Sequence, residues 1–209
     1  MMPAMACDFI TVVSGLPRSG TSLMMQMLEA GGMPVVADGV RAADADNPRG
    51  YLELEAVKKL GADSSWLATA RGRVVKVISM LLYELPDAYS YRVIFMERDM
   101  GEILASQREM LTRRGVATSG ADDVQMQRHM KNHLEKVRAW LVARPNFHVL
   151  RCGYGELLRA PAGQIHRIRD FLGVALDEAA MERAIDPALH RNRIAAVSRG
   201  GGGIKSPAL

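Results

Sequence analysis

Residues 9–30 constrain this chain more than any other stretch, because two periodicities meet there across a glycine turn. Phe9-Ile10-Thr11-Val12-Val13 is short, apolar and β-branched, as a strand covered on both faces should be. Gly15-Leu16-Pro17-Arg18-Ser19-Gly20-Thr21-Ser22 follows. Leu23, Met24, Met27 and Leu28 then share one face of a helix expected over 19–30, which Gly31-Gly32 stops. A strand that enters a helix through such a turn leaves free N–H groups at the helix N-terminus, where partial positive charge favours an anion. Gly15 and Gly20 let the backbone curl close to that anion, and Arg18, Ser19, Thr21 and Ser22 add a cation and three hydroxyls.

The same alternation of strand and helix continues along the chain and predicts an α/β protein with a mainly parallel sheet flanked by helices. Val74–Ile78, Val93–Met96 and Phe147–Leu150 read as further buried strands. A weaker helix is expected over 51–60, ended by Gly61. Asp99 with Glu102 forms a capping-box pattern ahead of a helix carrying Ile103, Leu104, Met110 and Leu111. After a loop over 113–120, a long helix is expected over 122–142. Pro161 opens another, closed by Gly173, and Asp177 caps the last. With no repeat or linker in 209 residues, the chain reads as a single domain with a flexible tail over 199–209, whose four consecutive glycines carry no periodicity.

Composition excludes several classes. No apolar run is long enough to span a bilayer, and Met1 to Val13 lacks a cationic leader, so a cytoplasmic protein is expected. Cys7 and Cys152 are too few for a disulfide framework or a metal site and read as reduced, buried thiols. His129 and His133 are spaced to share a helix face, but no third ligand accompanies them, and they read as a polar face. The net charge of +4 suits an anionic ligand and is not concentrated in a run that would suggest nucleic acid.

The loop differs informatively from one that binds ATP. Gly15 and Gly20 keep the G-x-x-x-x-G spacing, but Thr21 stands where the lysine serving the β- and γ-phosphates would be. The cation has moved into the loop at Arg18, so the loop suits one phosphate group rather than a metal-bound triphosphate.

Two motifs together resemble the sulfotransferases that use 3′-phosphoadenosine 5′-phosphosulfate (PAPS), which have a P-loop-like three-layer fold. Gly15 to Leu28 is similar to their 5′-phosphosulfate loop. Val93 to Asp99 followed by Ser106 is similar to their 3′-phosphate site, an arginine at a strand end and a serine eight positions later. The resemblance implies PAPS binding by Gly15, Pro17, Arg18, Ser19, Gly20, Thr21, Ser22, Arg98 and Ser106, with adenosine 3′,5′-bisphosphate (PAP) as product and no metal required. Looser likeness covers residues 147–172, where Tyr154 enters as a cofactor contact. It also covers the glycine-rich tail, where Arg199 and Lys205 do.

Sulfuryl transfer is an in-line displacement that needs positioning and charge stabilisation. Arg18 and the loop amides would stabilise the leaving phosphate. The acceptor needs a general base. Many members carry K-x-H on the second strand with the histidine as base, whereas Lys76-Val77-Ile78 keeps the lysine alone. Other branches use a glutamate after the first crossover. Glu53, with Glu55 second, is the expected base here, and Lys76 is an expected contact to the phosphosulfate. Little sequence separates Gly61 from Arg73, so an open site for a large acceptor (a glycan, lipid headgroup or peptide) is expected. The alternatives are a small-molecule kinase on the same fold, which predicts Mg²⁺-ATP binding, and a nucleotide-binding protein without turnover. Neither the acceptor nor the oligomeric state is legible.

Overall fold

A computed structural model describes residues 8–44, 47, 49–116 and 120–186. Four parallel strands form its sheet: β1 (Phe9–Gly15), β2 (Val74–Lys76), β3 (Ser90–Glu97) and β4 (Phe147–Gly153), in the order β2-β1-β3-β4. The sequence expectation of a mainly parallel sheet between helices therefore holds. β1 and β3 are nearly continuous apolar runs because both faces are covered.

The faces divide by the period of two that a strand imposes. Ile10, Val12, Val75, Val93 and Phe95 pack with Leu67, Val137 and Leu141 on one face. Val13, Val74, Ile94, Met96 and Cys152 pack on the other with four methionines (Met24, Met25, Met27 and Met181) and with Ile165, Ile168 and Leu172. The helices are α1 (Thr21–Ala30), α2 (Met100–Arg113), α3 (Gly120–Val142), α4 (Tyr154–Arg159), α5 (Pro161–Leu172) and α6 (Glu178–Arg183). α3 lies on the first face; α1, α4, α5 and α6 lie on the second.

Local signals set several boundaries. Asp99 caps α2, accepting from the N–H groups of Gly101 and Glu102 at 2.8 and 3.1 Å. Pro161 opens α5, and Gly173 ends it in the left-handed region at φ 61°. Asp177 caps α6 through the N–H of Ala180.

Two expectations need correction. Residues 51–60 are not one helix: 51–54 has no regular structure and only Glu55–Lys59 coils, as a 3₁₀ turn. Asp38 binds this stretch, its backbone N–H donating to Glu53 O and its carboxylate accepting from Glu55 N. His133 does not sit on a polar face: it is half-buried, bonded to Ser79 Oγ at 2.9 Å and edge-on to Tyr83, while His129 is exposed. Glu102, expected in a capping box, is paired with Arg98, whose Nε donates to its carboxylate at 2.9 Å. Burial pushes the Cys152 thiol up to about 11. Cys7, Arg199, Lys205 and the expected tail lie outside the described residues.

Candidate active site

In an order of β2-β1-β3-β4, the chain leaves β1 toward one side of the sheet for β2 and returns to the other for β3. Ligands bind beyond the strand ends at such a reversal. Here the strands are in register, with Val13 level with Lys76, Gly15 with Met96 and Glu97 with Gly153. Each strand therefore delivers one component at the same edge. β1 delivers the loop, β2 ends on Lys76, β3 runs into Arg98, and β4 turns into α4 at Tyr154. All four contribute to one cleft of about 350 Å³.

The loop floor is built from glycine and strain. Gly15 has φ 148°, and a Cβ there would lie 2.5 Å from Ser19 Oγ and 2.7 Å from Met96 O. Gly20 has φ 101°, and its Cβ would lie 2.4 Å from Tyr154 Cδ2. No side chain caps α1. The N–H groups of its first turn therefore belong to whatever enters the cleft, which Gly20, Thr21 and Ser22 line. Ser19 points the other way, its hydroxyl buried without a partner among the described residues. Gly15 and Ser19 shape the loop from beneath, and neither lines the cleft.

Beside the loop, Arg18 Nε donates to Ser106 Oγ at 2.9 Å, and Arg98 donates through Nη1 to Arg18 O at 3.1 Å. The Arg98 guanidinium is nearly buried, stacked 4.4 Å from the Tyr154 ring centroid and paired with Glu102. Ring and carboxylate fix its plane before any ligand arrives. The structure thus brings together Arg18, Arg98, Ser106 and Tyr154, four residues the sequence reading placed on a ligand.

The second half of the cleft centres on Glu53. Lys76 Nζ donates to Glu53 Oε1 at 2.9 Å, to Ser22 Oγ at 2.9 Å and to Tyr51 O at 3.3 Å. Arg41 Nη1 lies 3.2 and 3.1 Å from the two Glu53 oxygens. Burial works to raise the Glu53 carboxyl, but the hydrogen bonds and charges of Lys76 and Arg41 outweigh it, and its pKa falls below the ordinary value. Burial depresses the Lys76 ammonium, and Glu53 opposes this only in part. Glu55 stands apart: it pairs with Lys58 and does not line the cleft.

Sequence reading missed Gln26, Arg41, Asn47 and Tyr51. Gln26 was detectable as a polar residue on a buried helix face. Its amide donates to Asn47 Oδ1 at 3.3 Å and Gly50 O at 3.0 Å, tying α1 to the 47–50 turn. Arg41 gave no signal, because it lies in an irregular segment where no period predicts neighbours.

A model of the sulfotransferase family matches residues 41–178, about two-thirds of the chain. The chain belongs to the sulfotransferase family. The match covers Lys76, Arg98, Ser106 and Tyr154 and begins after the glycine loop at 15–20. Among solved structures, the chain is similar to the sulfotransferase domain of the Synechococcus PCC 7002 olefin synthase, with a TM-score of 0.51 at 16% identity over 87% of this chain and 78% of that one. Retinol dehydratase in complex with androsterone and inactive cofactor PAP aligns at a TM-score of 0.48 and 20% identity, over 83% and 62% of the two chains. No curated protein matches the chain. Among the described residues of this sulfotransferase, no helix is long and apolar enough to cross a membrane, and no group of three or more His, Cys, Asp or Glu could hold a metal.

Proposed function

We propose that this sulfotransferase uses PAPS as donor and moves its sulfuryl group to a hydroxyl or amine of an acceptor. One observation carries the reading: an uncapped helix N-terminus and a prefixed pair of guanidinium groups share one cleft, as a ligand with two separated phosphate groups requires. When bound, the donor supplies the sulfuryl group, which passes to the acceptor oxygen as the bond from sulfur to the 5′-phosphate oxygen breaks and PAP leaves.

The chain's own residues divide the work. The first-turn N–H groups of α1, with Thr21 and Ser22, would hold the 5′-phosphate and stabilise the charge that develops on it. Arg98 and Ser106 would hold the 3′-phosphate beside the Tyr154 ring, and the Arg18 guanidinium, expected at the leaving 5′-phosphate, joins them instead because it is bonded to Ser106. Lys76, already bonded to Ser22, is placed to reach the transferring group. Glu53 takes the acceptor proton. Glu55 pairs with Lys58 and does not line the cleft, so Glu53 is preferred to it. None of residues 61–73 lines the cleft, and Leu67 among them is fully buried in the core, which supports an open acceptor side suited to an extended molecule.

The test is transfer of ³⁵S from labelled PAPS to a panel of glycan, lipid and peptide acceptors. The expected result is label in at least one acceptor with wild type and a loss of about 10²- to 10⁴-fold in Glu53→Gln, the range for a removed general base. Undiminished transfer by Glu53→Gln would overturn the base assignment, and PAP affinity that ignores Arg98→Ala would overturn the donor.

A further inference from the structure

The carboxylate assigned as base is held by two cations of different origin. Lys76 comes from β2 and is 7% exposed, a buried ammonium shared among Glu53, Ser22 and the Tyr51 carbonyl. Arg41 comes from the irregular segment that lines the cleft with Arg41 and Asn47, and its side chain is 37% exposed. Its attachments are of another kind. The guanidinium carbon lies 3.3 Å from the centroid of the Tyr51 ring, a flat stack, and Nη1 reaches both Glu53 oxygens. Tyr51 is itself fixed, 6% exposed, with its hydroxyl donating to the Asp44 carboxylate at 2.7 and 2.9 Å.

Residue 52 between them adopts φ 47°, one of two non-glycine residues with positive φ among the described residues; the other is Arg18. Such backbone strain persists where surrounding contacts over-determine it. A chain of side-chain contacts thus runs from Asp44 through Tyr51 and Arg41 to Glu53, beside the separate bonds that Lys76 makes to Glu53 and the Tyr51 carbonyl.

Lys76 has a competing task. It is placed to reach the transferring group, and an ammonium that turns to an anionic donor weakens its bond to Glu53. A base held by Lys76 alone would lose its orientation when the donor binds. We infer that Arg41 is a positioning residue for the proposed base, clamping the Glu53 carboxylate from the acceptor side of the cleft and keeping it fixed when Lys76 turns to the donor. The inference rests on the reading of Glu53 as base. Arg41 acts through Glu53 and holds no part of the donor.

The test reads the carboxylate directly and needs no acceptor. Protein carrying ¹³C-labelled glutamate carboxyls is titrated by NMR, the Glu53 resonance being assigned by its loss in Glu53→Gln. The charged groups facing this carboxylate are Lys76 and Arg41, with Asp44 behind Tyr51. Removing the Arg41 charge takes away a hydrogen bond and an attraction that favour the carboxylate, so the Glu53 midpoint moves upward in Arg41→Gln. It falls between the two in Arg41→Lys, where charge survives but the planar stack and the two-oxygen contact do not. Calorimetry should show PAP binding to Arg41→Gln within about threefold of wild type, a difference near 0.7 kcal/mol. A wild-type midpoint in Arg41→Gln overturns the inference, and so does a loss of PAP affinity as large as that of Arg98→Ala. Full sulfuryl transfer by Glu53→Gln would instead overturn the functional reading beneath it.

Discussion

Gly20 shows how much one missing methyl can organise. It caps α1 in the left-handed region, and the Tyr154 ring occupies the space a side chain would need. That ring in turn carries Arg98. In Gly20→Ala, a positive φ costs about 1–2 kcal/mol and the ring is driven off its seat. The expected outcome is a lower melting temperature together with at least tenfold weaker PAP binding, by thermal unfolding and calorimetry. Arg98→Ala removes charged hydrogen bonds worth about 1.5–3 kcal/mol, so PAP affinity should fall roughly 10- to 150-fold, and the melting temperature should fall as well because Glu102 loses its buried partner. Glu53 carries a pH signature. Its folded pKa is depressed, so the stability it contributes is complete above the ordinary glutamate range, about 4.3, and is lost as pH falls through the lower folded value. The melting temperature of wild type should therefore exceed that of Glu53→Gln at pH 7, and the gap should narrow as pH falls below the ordinary glutamate range.

At the scale of elements, α2 joins the fold to the site. It carries Ser106 in the cleft wall and Glu102 against Arg98, and Asp99 caps its first turn. Asp99→Ala should cost about 1 kcal/mol, a fall of roughly 2–4 °C in melting temperature for a chain of this size, with PAP affinity lowered because the helix start frays beside Arg98. Comparing the two readouts in one variant separates frayed cap from lost fold.

This is also the scale at which the sequence was most legible. β1, β3, α1, α2 and α5 were readable because each runs long enough for its period to show and ends on a glycine, a proline or a capping aspartate. The 3₁₀ turns Ser65–Thr69 and Ser79–Glu84 and the six-residue α4 were not, since one or two turns carry no measurable period. Residues 51–54 misled for another reason: Glu53 and Glu55 suit a helix start, yet Asp38, distant in sequence, binds the backbone of both and keeps 51–54 out of a helix. Arg18, Arg98 and Ser106 were legible because a motif fixes their spacing. Arg41 and Tyr51 reach Glu53 only through a fold that brings an aperiodic segment to the cleft.

At the scale of the whole molecule, a register of four parallel strands brings scattered residues into one cleft, which we read as a two-ended anion site. The α1 N-terminus lies at one end and Arg98 with Ser106 at the other, with the Lys76–Glu53 pair beyond the loop. Nothing in that arrangement repeats the lysine that serves a triphosphate, because Thr21 fills its place. The central claim is that this cleft was built for a nucleotide with separated 3′ and 5′ anionic groups. Calorimetric titration of the full chain with PAP and, separately, with Mg²⁺-ATP tests it most directly. The account predicts saturable PAP binding that weakens at least tenfold in Arg98→Ala, with Mg²⁺-ATP bound far more weakly. Preference for Mg²⁺-ATP, or PAP binding indifferent to Arg98, would contradict it.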